Sequence, residues 1–492
     1  MKNRRPIAML LVLCASYSVH AQGTPDRFKT QLEPVIKQVM QQAGMPGLAI
    51  AVVENQNIVY SAGFGVKNLN SKQQMSASAL FHMASITKPF VATSIMQLWE
   101  KGKIDLEAPV VTYLPYFKLA DDRYKQITVR QMLSHISGMP DVQDYEWNKP
   151  QYDDGALERY VRSINDRKLI AEPGVKMQYS NMAFEVLGDV IAKVSGMSFE
   201  EYVKRNILDP LGMKNSTLLV KQADPALLTS PHVQNPSYEV EVSKVFPYNR
   251  MHAPSSTLYS NVLEMSRWAM ANLNRGELDG KRILKASTYD LMWKPAGEHF
   301  QDIGISWFLT KYKGHFVVNH SGGDTGFVSL LVLVPEKRIA VVMMSNYDRA
   351  SLRVINNAAL DIALGLKPEP VVIKAPIDRA LYRAIATEGL DAAVRQYYEL
   401  KKNQPQAYDF QERLLNILGY NFINQGKYKE AIRVLQLNVE AYPESSNVYD
   451  SLGEAYMKNG DKVQAIENYE KSLKLDPGNT GAVEMLRKLR SP

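Results

Sequence analysis

The chain has 492 residues, of which 45% are hydrophobic and 22% charged, and this ordinary globular composition allows two to four domains. It excludes a disordered, collagen-like or polytopic membrane protein. The net charge of +7 falls to +4 without residues 1–21, which hold three cations and no acid. So small and scattered an excess does not indicate nucleic-acid binding.

Residues 1–21 are typical of a secretory signal peptide. Three cations precede an apolar run at residues 7–14, and small residues stand before a cleavage point after Ala21. The apolar run is too short to span a bilayer, so we expect no membrane span after its removal. The lone cysteine, Cys14, lies in this segment, so the mature chain would have no disulfide and no thiolate ligand. We expect an exported bacterial protein, periplasmic or secreted, with general and twin-arginine export both open.

The pattern of elements predicts an α+β catalytic domain over residues 22–365. A helix is expected at 26–44, strands at 47–53, 58–63, 316–319, 327–334 and 339–344, and a last helix at 350–364. Residues 79–300 are mostly helical in pattern. We therefore predict one antiparallel sheet built from both ends of the domain, with flanking helices and an inserted helical domain.

Residues 366–376 are expected to form a linker, and residues 377–492 contain a repeat of period 34. Leu418-Gly419 recurs as Leu452-Gly453, and four further positions recur at the same offset: Gly426, Ala431, Ile432 and Pro443. This pattern resembles the tetratricopeptide repeat, which implies an all-α domain. Residues 378–406 form a divergent extra unit. The repeats are expected either to bind a protein partner or to pack on the catalytic domain and shape its cleft, and the alternative is that they only stabilise the protein.

Ser85 and Lys88 form a Ser-x-x-Lys motif at the start of a predicted helix that ends at Gly102. There, free backbone N–H groups and the positive end of the helix dipole favour developing negative charge. Lys88 shares a helix face with Ser85, so its amine could take the serine proton once its pKa is lowered. The alternative is a helix-capping serine beside a solvated lysine, since short motifs arise by chance.

A second motif, Tyr179-Ser180-Asn181, lies on a predicted loop before a helix at 182–194. The tyrosine could act as a general base if nearby cations lower its pKa from about 10. Asn181 could form a hydrogen bond with a substrate amide. The alternative is a half-buried loop tyrosine with no chemical role.

The third motif, residues 320–323 (His-Ser-Gly-Gly), is expected directly after the strand that ends at Asn319. Its glycines would let a substrate approach closely and leave the Gly323 N–H open to an oxyanion. His315 and His320 are five residues apart on a strand and so face opposite sides, and no carboxylate cluster accompanies them. We therefore expect no metal and no cofactor.

In this order the three motifs resemble those of the penicillin-recognising serine hydrolases. The similarity is to the family of class C β-lactamases and low-molecular-weight D,D-peptidases, which also includes D-aminopeptidases and β-lactamase-like esterases. Other stretches resemble the family as well, namely Pro46-Gly47, residues 133–138 (Leu-Ser-His-Ile-Ser-Gly) and residues 210–213 (Pro-Leu-Gly-Met). The resemblance covers roughly residues 28–360.

The resemblance implies an acyl-enzyme mechanism. Ser85 would attack a carbonyl carbon while Lys88 and Tyr179 take up the proton of its hydroxyl. The backbone N–H groups of Ser85 and Gly323 would form the oxyanion hole. The resemblance also assigns substrate contacts to Asn181, His320 and Ser321.

The sequence departs from the family pattern in two places. The β-lactamase branch carries Lys-Thr-Gly where this chain has His320-Ser321-Gly322, which lowers the expectation of β-lactamase activity. If His320 bound a carboxylate as a cation, KM for acidic substrates would rise between about pH 6 and 8. The second departure is at residues 254–258 (Pro-Ser-Ser-Thr-Leu), where relatives often have a Gly-Gly pair before the corresponding leucine. We expect these residues to line the cleft wall without touching the nucleophile motifs.

The leading hypothesis is an exported serine hydrolase that acts on peptides, amides or esters. The alternative within this class is β-lactam hydrolysis. From another class, the chain could be an interaction protein in which the repeats bind a partner and the hydrolase fold is silent. The natural substrate stays open among a peptidoglycan stem peptide, a D-amino-acid peptide, an ester and a β-lactam.

Overall fold

The structure is a computed structural model that describes residues 27–491. The predicted signal peptide lies outside these residues. Within the described range, none of the helices combines the length and the apolar character that crossing a membrane requires.

The first 365 residues contain ten α-helices among those described. They are α1 (Arg27–Ala43), α2 (Lys88–Glu100), α3 (Val129–Leu133), α4 (Ala156–Ser163), α5 (Asn181–Ser195), α6 (Phe199–Val203), α7 (Ala253–Ser256), α8 (Val262–Leu273), α9 (Ala286–Met292) and α10 (Arg353–Ala363). The strands of the same region are β1 (Gly47–Glu54), β2 (Asn57–Gly65), β3 (Phe81–His82), β4 (His232–Gln234), β5 (Val240–Val242), β6 (Tyr259–Ser260), β7 (Glu277–Leu278), β8 (Lys281–Arg282), β9 (Phe308–Tyr312), β10 (His315–Asp324), β11 (Phe327–Val334) and β12 (Ile339–Ser345).

Six of these strands form one antiparallel sheet in the order β2-β1-β12-β11-β10-β9. The first strand of the chain pairs with the last, with Ile50 opposite Met343. The predicted α+β fold, with a sheet assembled from both ends of the domain, is therefore confirmed.

Alternating side chains give the sheet two buried faces. On one face, Leu48, Ile50 and Val52 pack with α1 and α10. On the other face, alanines and valines of β1 join a larger core formed by α2, α5 and α8. Because successive strand residues point to opposite sides, a near-continuous apolar strand is what a sheet covered on both faces requires.

The inserted region between β2 and β9 carries the helices α2 to α9. Its centre is apolar and aromatic, with Phe90 of α2 stacked on Trp268 of α8 at a ring-centroid distance of 4.1 Å. Helix α2 is buried over nearly its whole length. A helix that is buried on nearly all sides lies in the middle of a large core, and this placement holds the start of α2 rigidly.

Residues 366–374 contain no helix or strand and lead into β13 (Ala375–Pro376), which pairs with β14 (Tyr408–Asp409). The helices beyond are α11 (Ile377–Glu388), α12 (Leu390–Asn403), α13 (Glu412–Asn424), α14 (Tyr428–Ala441), α15 (Ser446–Asn459), α16 (Lys462–Leu475) and α17 (Thr480–Arg490). They form three antiparallel pairs and a final single helix. The predicted helical repeat region is confirmed, and the divergent unit is the pair α11 and α12.

The repeated Leu-Gly pairs mark close helix crossings. A Cβ atom on Gly419 of α13 would lie 2.6 Å from the Leu435 side chain of α14. The equivalent Gly453 of α15 would meet the Tyr469 ring of α16 at 3.2 Å. Glycine at this position therefore lets the side chain of the paired helix pack directly against the backbone.

The repeats contact the catalytic domain at the β4–β5 hairpin. Tyr382 of α11 packs on Tyr238 in the hairpin turn at a ring-centroid distance of 5.2 Å. The Tyr382 hydroxyl also donates a hydrogen bond to Ser237 Oγ at 3.1 Å. The hairpin is anchored in the catalytic domain by the buried His232, whose Nε2 accepts a hydrogen bond from the Leu69 N–H at 3.1 Å.

Candidate active site

Ser85 lies in a 3-10 turn, Ala84–Thr87, that runs directly into α2. The preceding residue, Ala84, has a φ of +48°, a left-handed conformation that costs a residue with a Cβ about 1–2 kcal/mol. The turn is held by the Thr87 hydroxyl, which donates to the Ala84 carbonyl at 2.7 Å. The nucleophile candidate thus precedes the α-helix by one tight turn instead of opening it.

Lys88 is fully buried, and its ammonium makes two hydrogen bonds. Its Nζ donates to Ser85 Oγ at 3.0 Å and to the Ser255 carbonyl at 2.9 Å. The expectation that residues 254–258 avoid the nucleophile motifs is therefore wrong. Helix α7, which contains Ser255, packs against the turn that carries Ser85. This packing brings the Ser255 carbonyl within hydrogen-bond distance of Lys88.

Ser255 is itself held by a buried carboxylate that the sequence analysis did not single out. Glu185 of α5 accepts hydrogen bonds from the Ser255 hydroxyl at 2.5 Å and from its N–H at 3.3 Å. His252 Nδ1 lies 3.1 Å from the same carboxylate. Glu185 therefore fixes the peptide that accepts from Lys88.

Tyr179 lies on the loop before α5, as expected, next to the His135 ring and the Lys88 ammonium. His135 stacks on it at a centroid distance of 4.1 Å, and Lys88 Nζ lies 5.1 Å from the centre of the tyrosine ring. The His135 Nδ1 accepts the Ser180 N–H at 3.2 Å, so the imidazole proton resides on Nε2. Burial lowers the pKa of His135 well below its usual range, and the charge on Lys88 lowers it further. His135 is thus a neutral platform for Tyr179.

The third motif lies inside β10, so its expected position after the strand is wrong. Strand β10 continues to Asp324 because β11 pairs with it over that whole stretch, with His320 opposite Leu331. The glycines do not interrupt the strand, since the neighbouring strand supplies the backbone hydrogen bonds. His315 and His320 lie on opposite faces of β10, as the spacing predicted.

His320 is buried and not a cation. Burial and the charge on Lys88 lower the pKa of His320 to about 3, although a contact of 2.7 Å between its Nδ1 and the Ser321 carbonyl opposes this. The hypothesis that a protonated His320 binds carboxylates between pH 6 and 8 is therefore wrong. The imidazole is neutral throughout that range because burial disfavours its charged form and the nearby charge of Lys88 disfavours it further.

Gly322 brings β10 against the turn that carries Ser85. A Cβ atom on Gly322 would lie 2.2 Å from the Met83 carbonyl oxygen and 3.0 Å from the Ser85 nitrogen. Gly323, by contrast, has open space where its Cβ would be. This approach places the backbone of Gly323 beside Ser85, where both line one cleft. Their N–H groups as an oxyanion hole stay a prediction.

Asn181 is the first residue of α5, and its side-chain N–H groups are already used. Its Nδ2 donates to both carboxylate oxygens of Asp141, at 3.0 Å and 3.1 Å. Its backbone N–H donates to the same carboxylate at 2.8 Å. The amide carbonyl oxygen of Asn181 is therefore the atom left to meet a substrate.

One cleft of about 350 Å³ collects the predicted site residues. Its lining residues are Ser85, Asp141, Tyr145, Tyr179, Asn181, Phe308, His320, Ser321, Gly323 and Asp324. Lys88 lies beneath this lining and reaches Ser85 from inside.

Four lining residues had not been predicted from the sequence: Asp141, Tyr145, Phe308 and Asp324. Asp324 directly follows the third motif, which was a usable signal, and Asp141 follows the Leu133–Gly138 stretch by three residues. Phe308, which contacts Tyr179 at a centroid distance of 6.5 Å, had no motif to mark it.

Known proteins share this fold and arrangement. The family model described as beta-lactamase matches residues 32–364, and that described as tetratricopeptide repeat matches residues 446–479. The chain is 28% identical over 327 residues to protein flp of Staphylococcus aureus (strain MW2), which is 65% of this chain and 63% of flp. The match therefore covers less than two thirds of that relative's length.

Among solved structures, the octameric penicillin-binding protein homologue from Pyrococcus abyssi superposes with a TM-score of 0.62 at 26% identity, covering 72% of this chain and 80% of that chain. The D-amino acid amidase from Ochrobactrum anthropi SV3 gives a TM-score of 0.55 at 21% identity, covering 68% and 98%, and shows likeness of fold alone. The chain belongs to the beta-lactamase family of serine hydrolases and carries tetratricopeptide repeats at its C-terminal side.

Proposed function

We propose that this protein is an exported serine hydrolase that forms an acyl-enzyme on Ser85 and cleaves peptide, amide or ester bonds. The observation that carries the proposal is the hydrogen bond of 3.0 Å between Lys88 Nζ and Ser85 Oγ, inside a cleft that Tyr179 also lines. Burying a lysine costs free energy, so a buried lysine that is hydrogen-bonded to a serine hydroxyl indicates a role in activating that serine.

In the proposed reaction, one of the two groups Lys88 and Tyr179 is deprotonated when the substrate binds, and this pair takes the Ser85 proton as Oγ bonds to the substrate carbonyl carbon. The carbonyl oxygen becomes an oxyanion and accepts the N–H groups of Ser85 and Gly323. The bond to the leaving group then breaks, and the leaving group takes the proton. Water enters, gives a proton to the same pair and attacks the acyl carbon, which releases the acid and restores Ser85.

Two observations favour amides, peptides and esters over β-lactams. The neutral His320 stands where the β-lactamase branch has a lysine, so the motif offers no cation to a substrate carboxylate. The fold is shared with a D-amino acid amidase, which supports acyl transfer from amino-acid derivatives. β-Lactam hydrolysis is the second candidate, supported by the likeness to a penicillin-binding protein homologue at 26% identity.

Hydrolysis of p-nitrophenyl acetate tests the proposed nucleophile. We expect turnover by the wild-type protein and a loss of at least about a thousandfold in Ser85→Ala. Ser71→Ala, which changes an exposed serine outside the cleft, should keep wild-type activity. Equal turnover by the wild type and Ser85→Ala would reject Ser85 as the nucleophile, and no turnover by either protein would favour an interaction protein with a silent hydrolase fold.

Export is part of the proposal and rests on residues 1–21 alone. Expression of the full chain in a Gram-negative host, followed by N-terminal sequencing of the periplasmic protein, tests it. We expect a mature chain that begins at Gln22. Retention of the uncut chain in the cytoplasm would contradict export but would leave the proposed acyl-enzyme reaction unaffected.

For residues 377–491 we propose a role in recruiting a protein partner to the hydrolase. Stacked helical pairs present a groove that suits a peptide segment, which supports this role. The contact of Tyr382 with Tyr238 supports the other candidate, an appendage that stabilises the catalytic domain. Deletion of residues 377–492 separates them: loss of a co-purified partner with turnover kept favours recruitment, and insolubility favours the structural role.

A further inference from the structure

Asp324 places a fixed carboxylate in the cleft, one residue beyond Gly323. Its Oδ2 accepts hydrogen bonds from His82 Nε2 at 2.8 Å and from the Ser256 hydroxyl. Both donors are buried, whereas the Asp324 side chain keeps 12% of its surface exposed and lines the cleft. Within the described residues its Oδ1 has no hydrogen-bond partner, so one oxygen of an anchored anion is left for a ligand.

Asp141 places a second carboxylate at the mouth of the same cleft. It is exposed to solvent and is held in place by the backbone and side-chain N–H groups of Asn181. Tyr145 lines the same cleft, and its pKa is raised by burial and further by the charges of Asp324, Glu185 and Asp141. The two carboxylates thus act on one region of the cleft.

His320 supplies an independent observation that points to a ligand. The imidazole is 1% exposed and lines the cleft, and its Nε2 has no partner in the part of the chain that the structure describes. Because its Nδ1 lies 2.7 Å from a carbonyl oxygen, Nδ1 carries the proton and Nε2 carries a lone pair. A buried lone pair without a donor is costly, and a ligand that donates a hydrogen bond would satisfy it.

Beside the tyrosine and serine hydroxyls of the lining, the cleft offers four side-chain groups that can only accept a hydrogen bond in these states. They are the Asp324 carboxylate, the Asp141 carboxylate, the His320 Nε2 and the Asn181 side-chain oxygen. No lysine or arginine is among the described residues that line the cleft, and Lys88 beneath it is engaged with Ser85 and Ser255. An anionic group would meet like charges here, whereas an ammonium group would find partners for its three N–H bonds.

We propose that the cleft selects acyl donors that carry a free α-ammonium group, with Asp324 and Asp141 as the specificity-determining carboxylates. The inference rests on the proposed acyl-enzyme function. The α-amine of an aminoacyl group is two bonds from the carbonyl carbon, and Asp324 is one residue from the Gly323 N–H that would hold the carbonyl oxygen. The substrate class is amino-acid amides, esters and peptides that are cleaved after an unblocked N-terminal residue.

The test compares two p-nitroanilides of matched size, one of alanine and one of lactic acid, in which a hydroxyl replaces the ammonium group. Both enantiomers of each are assayed at about pH 6.5, where an α-amine is protonated. We expect kcat/KM to favour the alanine compound about tenfold to a hundredfold in the better enantiomer. The ratio of the two substrates is read within one protein sample, so a change in the folded fraction cancels.

Asp324→Asn should bring this ratio close to one, mainly by raising KM for the alanine compound. Asp141→Asn should lower the ratio by a smaller factor, because Asp141 is more exposed. The matched control is Asp144→Asn, an aspartate on the same loop as Asp141 that does not line the cleft, and it should keep the wild-type ratio.

Equal kcat/KM for the two compounds in the wild-type protein, or an unchanged ratio in Asp324→Asn, would overturn the proposal. A fluorophosphonate adduct on Ser85, measured in the same preparations, separates this failure from failure of the proposed function. With the adduct present and no ammonium preference, only the specificity proposal falls. Without the adduct, the acyl-enzyme proposal falls as well.

Discussion

His320 and His135 are two buried imidazoles that share the neighbourhood of Lys88. Their pKa values are lowered in the folded protein, so the folded chain stays unprotonated at both rings while the unfolded chain takes up protons below about pH 6.5. The free energy of unfolding must therefore fall as the pH falls from about 6.5 toward the folded pKa, which for His320 is about 3.

Urea unfolding at pH 7 and pH 5 tests this at His320. We expect His320→Gln to lose less stability than the wild type over this interval, because each such imidazole contributes a slope of about 1.4 kcal/mol per pH unit. His299→Gln, at an exposed position, is the control and should follow the wild type. A wild-type slope that His320→Gln leaves unchanged would show that the folded ring is protonated.

Glu185 is a positioning residue, since it touches Ser255 and not the cleft. Glu185→Gln should lower kcat about tenfold with little change in KM, because the carbonyl that accepts from Lys88 loses its anchor. It should also cost about 1–3 kcal/mol of stability. The control is Glu201→Gln, an exposed glutamate paired with Arg205. An unaltered kcat in a destabilised Glu185→Gln protein would show a purely structural role.

The sequence predicted the individual residues that belong to short motifs. It missed those that act through hydrogen bonds to residues distant in the chain. Ser85, Lys88 and Tyr179 are separated by up to 94 positions, yet family resemblance grouped them. Glu185 and Asp141 act by bonding to other side chains, and no spacing in the chain records that. The charge state of His320 was also beyond the sequence, since its pKa depends on burial and on Lys88.

Strand β10 is the element that brings the third motif to the nucleophile. Gly322→Ala would force a methyl group to within 2.2 Å of the Met83 carbonyl oxygen, so the strand and the Ser85 turn would separate. We expect a fall in the melting temperature of several degrees and a loss of activity of at least about tenfold.

Gly323→Ala is the matched control for stability, because open space lies around its Cβ position. Differential scanning calorimetry of both variants should place Gly323→Ala near the wild type. If Gly322→Ala melted at the wild-type temperature, the close approach of β10 to the Ser85 turn would be in error.

Elements with strong periodicity could be predicted to within a few residues, as α1 and the β11–β12 hairpin show. The end of β10 could not, because two glycines indicate a loop when read alone. Pairing with β11 outweighs that local preference, since each added ladder position provides backbone hydrogen bonds.

At the scale of the whole molecule, the contact between α11 and the β4–β5 hairpin joins the two domains. Tyr382→Ala removes the packing on Tyr238 and the bond to Ser237. We expect faster proteolytic cleavage within residues 366–374 and a repeat domain that melts separately from the catalytic domain. Tyr398→Ala, at a tyrosine that is 47% exposed elsewhere in the repeats, should leave the cleavage rate unchanged. Equal cleavage rates in both variants would show that this contact does not hold the domains together.

The two-domain order followed from composition, periodicity and the 34-residue repeat, but the contact between the domains did not. Neither Tyr238 nor Tyr382 belongs to a motif, and the hairpin that carries Tyr238 lies in a stretch expected to be mostly helical. Contacts of this kind depend on how the surfaces of two folded domains fit together, and short sequence patterns do not record that.

Ser85 is proposed to be a nucleophile made reactive by Lys88, and intact-mass spectrometry with a fluorophosphonate measures this reactivity at the serine itself. The probe bonds its phosphorus to the serine oxygen and releases fluoride. We predict one adduct per chain, mapped to Ser85, its absence from Ser85→Ala, and labelling about a hundredfold slower in Lys88→Gln. No adduct on the wild-type protein, or an adduct that persists in Ser85→Ala, would show that Ser85 is not the reactive nucleophile.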